Sequence, residues 1–249
     1  MAVRSELSKY PQTTMSDAIA TAARTIVFRA SGNELRSLDR RHLVLGLLLT
    51  WLVGVGRWWE DPRARVLQVL GAGSIVYVFL LSLFLWLIIR PLAARTRYLN
   101  VLTYVTLTAP PAILYAIPVR SWLDLAVAQR VRLWFLAIVA TWRVLLWARY
   151  LRVSVQLSRP VAFVGTLFPL TLIVVALFML NLERVVFNLM GDLRPENATV
   201  NDAAYAVLFL LSLLSVLTFV PLAIAYGVLV ARAARTSRFA ATGGRNARA

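Results

Sequence analysis

The chain has no cysteine, a single histidine and a single lysine in 249 residues. Without cysteine there are no disulfides, thiolate nucleophiles or iron–sulfur ligands. One histidine, His42, rules out the usual two-histidine metal constellations. Acidic residues are also few: 11 Asp and Glu stand against 27 basic residues, and none of the acids falls inside a long apolar run. That leaves no paired carboxylates for acid–base work or proton coupling within those runs. Charged residues of both signs make up 15% of the chain, against about 25% in a soluble domain. Residues 1–41 are polar with scattered charges and have no continuous apolar core, so a signal peptide is not expected and the first apolar run must direct insertion. On these grounds no catalytic residue, cofactor or metal ligand is assigned.

Apolar sequence is what the chain has in excess. It is 60% hydrophobic with a mean hydropathy of +0.72, whereas soluble domains run at about 45–50% apolar residues. The excess is gathered into six runs separated by arginine-bearing breaks, at 42–58, 66–89, 98–118, 131–150, 161–181 and 203–230. Each is long enough to cross a bilayer, which takes about 17–25 residues. Within lipid a helix satisfies its own backbone polar groups. The every-second-residue alternation of a membrane barrel is absent. The reading is therefore all-α: a polytopic transmembrane helical bundle of about six spans (42–231), flanked by a basic segment (1–41) and a basic disordered tail (232–249).

Orientation follows from arginine. Only Lys9 is a lysine. With six spans, 18 basic residues fall on the side of the two termini and eight on the other, with Arg143 inside the fourth span. Seven of the 11 acids fall opposite the termini. Basic loops stay cytoplasmic, so both termini are expected inside, in a bacterial cytoplasmic (inner) membrane with anionic headgroups as partners. The net charge of +16 is assigned to those headgroups and not to nucleic acid, because no soluble basic module is present. Trp58, Trp59, Trp122 and Trp134 are expected at the outer interface, and Trp86, Tyr98, Trp147 and Tyr150 at the inner one. Residues 15–30 allow an amphipathic helix with Met15, Ile19, Ala22 and Ile26 on one face, suited to the inner leaflet.

A few polar positions inside the spans carry the functional reading. Arg143 is the most costly, at about 2.5–3.5 kcal/mol for a mid-span arginine. Pro110 and Pro111 sit mid-way along the third span and strip the carbonyls of Thr106 and Leu107 of helical partners. An Arg143 contact to those carbonyls would meet both needs; snorkelling toward the inner headgroups and an anion- or headgroup-binding cavity are the alternatives. Asn100, Thr103, Tyr104, Thr106, Thr108 and Tyr115 add polar character to the same span, and Asn100, Thr103 and Thr106, spaced by three, are expected to face the bundle interior. Gly71-Ala72-Gly73-Ser74 resembles the start of a phosphate loop, but close helix packing explains it better. Glu60 and Asp61 form a charged turn at the outer interface with Arg57 and Arg63, where two adjacent carboxylates raise cation binding as the alternative to a plain turn.

With its spans, Pro110-Pro111 and the Trp58-Trp59-Glu60-Asp61-Pro62 turn, the chain resembles uncharacterised bacterial multi-pass membrane proteins grouped loosely with the Yip1-like family, over about 40–231. Eukaryotic members have about five spans and a cytoplasmic N-terminus and act in vesicle traffic. The count of six departs from that pattern, and the resemblance brings no functional residue. Three classes stay open: a scaffolding or membrane-organising protein with a protein partner or as a homo-oligomer, a small transporter or channel subunit with a polar site between spans 3 and 4, and a lipid-modifying enzyme. The absence of catalytic motifs places the first ahead and the last behind.

Overall fold

A computed structural model of the chain describes residues 14–59, 66–180, 182 and 198–246. Among the described residues there are helices and turns but no strand. The helices are α1 (Met15–Ile26), α2 (Gly32–Arg36), α3 (Arg40–Trp58), α4 (Val66–Val69), α5 (Ala72–Ile89), α6 (Tyr98–Leu107), a 3-10 helix (Pro110–Ala116), α7 (Val119–Trp122), α8 (Leu125–Val153), α9 (Arg159–Met179) and α10 (Ala198–Asn246). Four of them, α5, α8, α9 and α10, are long and apolar enough to cross a membrane. A fifth span results if α6 and the 3-10 helix count as one element bent by 42°. Helix α3 is not among these. Arginines at both its ends leave only Leu43–Gly56 free of charge, roughly 21 Å at 1.5 Å per residue.

The first three helices begin on sequence signatures. Thr14 and Asp17 form a reciprocal capping box, as do Ser31 with Glu34 and Asp39 with His42. Each side chain satisfies an amide that the first helical turn leaves free. Helix α1 ends without glycine. Phe28 takes the left-handed conformation, φ 61°, while Arg29 and Phe28 donate their amides back to the carbonyls of Arg24 and Thr25. That conformation costs a non-glycine residue about 1–2 kcal/mol. Two contacts hold it: the Phe28 ring lies 6.0 Å from that of Trp142, and Arg24 bridges to Glu34 at 2.7 Å.

Of the apolar face expected for α1, Ala22 packs into the bundle and Met15 and Ile19 stay outside it. Ala18, Thr21, Ala22 and Thr25 turn inward, and Met15 and Ile19 are 46% and 54% exposed. The inward face carries the smaller side chains, which let α1 lie close against α3 and α6. The segment is then tied to α8: the Trp142 indole donates to the Ile26 carbonyl at 2.9 Å and Arg149 to the Ala30 carbonyl at 2.8 Å.

Helix α3 is the hub of the bundle and packs on α1, α5, α6 and the 3-10 helix. The reason is a four-residue repeat: His42, Gly46, Thr50 and Gly54 are its buried residues. The two glycines remove side chains where neighbours cross. A methyl at Gly46 would collide with Thr106, and one at Gly54 with Ser74. Every residue of α6 from Val101 to Leu107 is buried. Tyr104, Tyr150 and Trp147 stack at 4.2 and 5.4 Å between centroids and fill the core between α6 and α8. Trp147 and Tyr150 are therefore core residues (7% and 1% exposed) and not inner-interface anchors. Trp59, Trp122 and Trp134, by contrast, are 59%, 70% and 69% exposed.

Several expected boundaries shift. The run 66–89 is broken at Gly71, whose φ of +68° ends α4 and starts α5. The run 98–118 is broken at Pro110-Pro111, because two consecutive residues without an amide hydrogen end the α-helical bonding. The segment from 232, expected as a disordered tail, continues α10 to Asn246. Its alanines and arginines have high helix propensity.

Candidate functional site: a cationic cavity between broken helices

The two breaks and the crossing of α3 leave a cavity of about 330 Å³. Gly54 brings α3 onto the Gly71 break, so that Gly71 and Ser74 form one side. Beyond the proline break the 3-10 helix swings away from the axis of α6, and Ala112 and Tyr115 form a second side. Helix α8 closes the third with Val139 and, one turn on, Arg143. Thr50 and Arg57 of α3 complete it.

Two guanidinium groups therefore face one space. The Arg57 guanidinium lies 5.4 Å from the Trp58 ring centroid and 5.3 Å from that of Tyr115. Such placement over an aromatic face is worth about 0.5–1 kcal/mol when exposed and more when desolvated. Tyr115 lies within electrostatic range of both Arg57 and Arg143. Arg143 is half-buried, ten residues from the end of α8 at Val153, or roughly 15 Å along the helix. It donates no hydrogen bond and forms no ion pair with any described residue. None of the described residues lining the cavity is acidic.

The pairing of Arg143 with the freed carbonyls does not form. The Thr106 carbonyl accepts from the Ala109 amide at 3.1 Å and from the Thr50 hydroxyl at 3.4 Å. The chain tightens into a short turn at the break, and that turn supplies the donor locally. Of the other candidate residues, Tyr104 is fully buried and donates its hydroxyl to the Leu146 carbonyl at 2.7 Å. Thr106 is fully buried with its hydroxyl on Thr103. Asn100 is half-buried near the start of α6, away from the cavity lining. Pro110 and Pro111 shape the wall through Ala109 and Ala112 on either side of them. The structure thus separates Arg143 from Asn100, Tyr104 and Thr106. Glu60 and Asp61 lie outside the described residues.

Residues that the sequence reading did not place in a site are Arg57, Tyr115, Ser74 and Thr50. The signal available for them was the spacing Gly46–Thr50–Gly54, which marks the close-packed face of α3. The Gly71–Ser74 segment does serve close packing at Gly71 and Gly54, but Gly73 faces open space in the cavity wall. In the first turn of α5 the Ser74 amide is taken by the Gly71 carbonyl at 3.1 Å. Comparison of the chain with family models, curated proteins and solved structures gives no match.

Proposed function

We propose that the protein binds an anionic ligand inside the membrane, in the class of a small transporter or channel subunit. In this reading it is a six-span protein of the bacterial cytoplasmic membrane, with α3 as a short first span and both termini cytoplasmic. The arginine asymmetry supports that orientation. One observation carries the functional reading: Arg143 lines an internal cavity together with Arg57, with no acid among the described lining residues. Arg143 itself makes no hydrogen bond or ion pair with any described residue, and a charge held so at such depth is stabilised by water or by an anion. The scaffolding reading stands behind this one. The exposed apolar sides of α10 are what any lipid-facing helix presents, and they specify no partner. The Yip1-like resemblance concerns the spans alone and bears on no cavity residue.

The test is thermal stability of the purified chain in detergent with and without inorganic phosphate. An anion at 100 times its Kd stabilises by about 2.7 kcal/mol, a rise in Tm of roughly 5–10 °C at this chain length. Arg143→Leu should remove that rise while leaving the ligand-free Tm nearly unchanged, since no described group loses a hydrogen bond. Arg143→Lys should retain part of the response, keeping charge but losing the planar fork. A Leu variant that responds like the wild type would refute the proposal.

A further inference from the structure

We infer that Trp142 and Arg149 are positioning residues for the anion site: through them the N-terminal segment 24–36 clamps the stretch of α8 that carries Arg143, and clamp closure and anion binding strengthen one another. This rests on the anion-binding reading above and adds the part of the chain that sets the site's affinity.

Helix α8 needs holding at the level of Arg143. Leu146, Trp147, Tyr150 and Leu151 are buried in the core. From Leu145 back to Ile138 only Val139 is buried, and Leu145, Trp142 and Ile138 are exposed. Arg143 therefore sits where the helix has left the core, and its guanidinium has no described partner to fix it. A mobile cation loses freedom when a ligand binds, and a backbone that already holds it in place reduces that cost. Over this stretch, among the described residues, α8 makes one side-chain hydrogen bond to another element. The Trp142 indole donates it to the Ile26 carbonyl at 2.9 Å.

The helical repeat puts the clamp beside the site. At about 3.6 residues per turn, Val139 and Arg143 share one face of α8, and Trp142 and Arg149 share another, about a quarter turn away. The first face lines the cavity. The second meets the N-terminal segment, Trp142 on the Ile26 carbonyl and Arg149 on the Ala30 carbonyl at 2.8 Å. These two donors are roughly 10 Å apart along the helix, so they grip the segment at two points.

The segment is shaped to present those two carbonyls. The Arg24 carbonyl accepts from the amides of Arg29 at 2.7 Å and Ala30 at 3.0 Å, and the Arg24 side chain bridges to Glu34 at 2.7 Å. Residues 24–34 are closed into a loop by these contacts, with Phe28 at its turn in the left-handed conformation. That conformation is unfavourable for a residue with a side chain, and the contact between the Phe28 ring and Trp142 helps to hold it. Further on, Arg36 donates to the Ser154 carbonyl at 3.4 Å, and Gly32 lies so close to the Val153 carbonyl that a methyl there would collide. The segment thus follows α8 from Trp142 to Ser154. A shift of α8 at Trp142 loosens the loop, and by linkage an anion that fixes Arg143 steadies it.

The experiment uses the full chain in a neutral maltoside detergent, with inorganic phosphate as the probe and calorimetry as the readout. Trp142→Phe keeps a ring against Phe28 and loses the donor; it should weaken phosphate by about threefold or more, the scale of one hydrogen bond. Arg149→Gln should do the same, and Arg149→Lys should recover part of the loss. Glu34→Gln keeps an oxygen for the Ser31 amide, loses the ion pair to Arg24 and touches no cavity residue. It and Arg24→Gln should each weaken phosphate about twofold, and the double variant should do no worse than either, because both remove one interaction. Tyr104→Phe removes a buried bond to the same helix at Leu146 and should leave phosphate affinity unchanged, which separates positioning from general support. Amide exchange over 27–31 should slow on saturation with phosphate in the wild type and not in Arg143→Leu. Phosphate affinity that depends on Arg143 but is unmoved by Trp142→Phe and Arg149→Gln would overturn the clamp and leave the anion reading standing. Equal weakening by Tyr104→Phe and Trp142→Phe would also overturn it, since any loosening of α8 would then suffice. A phosphate response that is the same in the wild type and in Arg143→Leu would remove the anion reading, and the clamp with it.

Discussion

Replacing Gly46 by alanine should destabilise the bundle, although the same change favours a helix in isolation. At Gly46 the added methyl would fall on the Thr106 hydroxyl and lie 2.7 Å from its Cβ, with the Leu107 amide behind it at 3.1 Å. Neither neighbour has room to yield. Thr106 is wholly buried, and its hydroxyl is bonded to the Thr103 carbonyl at 2.8 Å. Overpacking of this kind costs about 1–3 kcal/mol, and the upper part of that range applies where the obstructing atoms are fixed. Alanine offsets about 0.8–1.0 kcal/mol through helix propensity. The net loss is about 1–2 kcal/mol, a fall in Tm of roughly 2–8 °C, measurable by thermal unfolding in detergent. Gly73→Ala is the matched control, because nothing lies within 4 Å of its added methyl; its Tm should hold or rise. Thr106→Ala removes the hydroxyl that the methyl strikes, so the double variant should recover part of the loss, with a coupling of about 1 kcal/mol. If Gly46→Ala melts at or above the wild type, or if the double variant shows no coupling, then α3 and α6 do not cross at Gly46 and the α3-centred arrangement is wrong.

Three further outcomes are expected. Reporter fusions at residue 249 and near residue 192 should report opposite sides of the membrane; an outside signal from the C-terminal fusion would reject both the six-span count and the orientation. Tyr104→Phe should lower stability by about 0.5–1.5 kcal/mol through loss of its hydroxyl bond to Leu146 while leaving inorganic phosphate binding unchanged, and a loss of binding would return Tyr104 to the site. The capping boxes should make the N-terminal segment sensitive to acid. The Asp17 carboxyl is held below its ordinary 3.8, first by the Thr14 hydroxyl and then by the Thr14 amide. The Ser31 amide is the largest influence holding Glu34 below its ordinary 4.5, with Arg24 adding to it. Because folding lowers both values, their contribution is fully present above about pH 4.5 and is lost as pH falls below the folded values. Amide exchange over 15–36, corrected for intrinsic rates, should show protection falling selectively on acidification, and the Asp17→Asn, Glu34→Gln double variant should lose that dependence.

The composition and the apolar runs were enough to establish an all-helical chain with several helices able to cross a membrane. That property belongs to stretches of sequence: twenty apolar residues in a row have one favourable solvent, whatever their neighbours are. Arg143 and Pro110-Pro111 also stood out in the sequence, because an arginine or a proline inside such a run is costly wherever the helix lies. Which residues those costly positions meet depends on how the helices cross, and that is a tertiary matter. Gly46 and Gly54 set the crossing of α3, and only the crossing reveals that Arg57, which the sequence reading grouped with the Glu60-Asp61 turn, shares a cavity with Arg143. Tyr104 and Asn100 looked like companions of Arg143 because they lie on the same polar span as the proline break. Tertiary packing assigned Tyr104 to the stacked core instead, because α8 passes Tyr104 with Leu146 and Tyr150, and presents Arg143 one turn further on, where α6 has already ended.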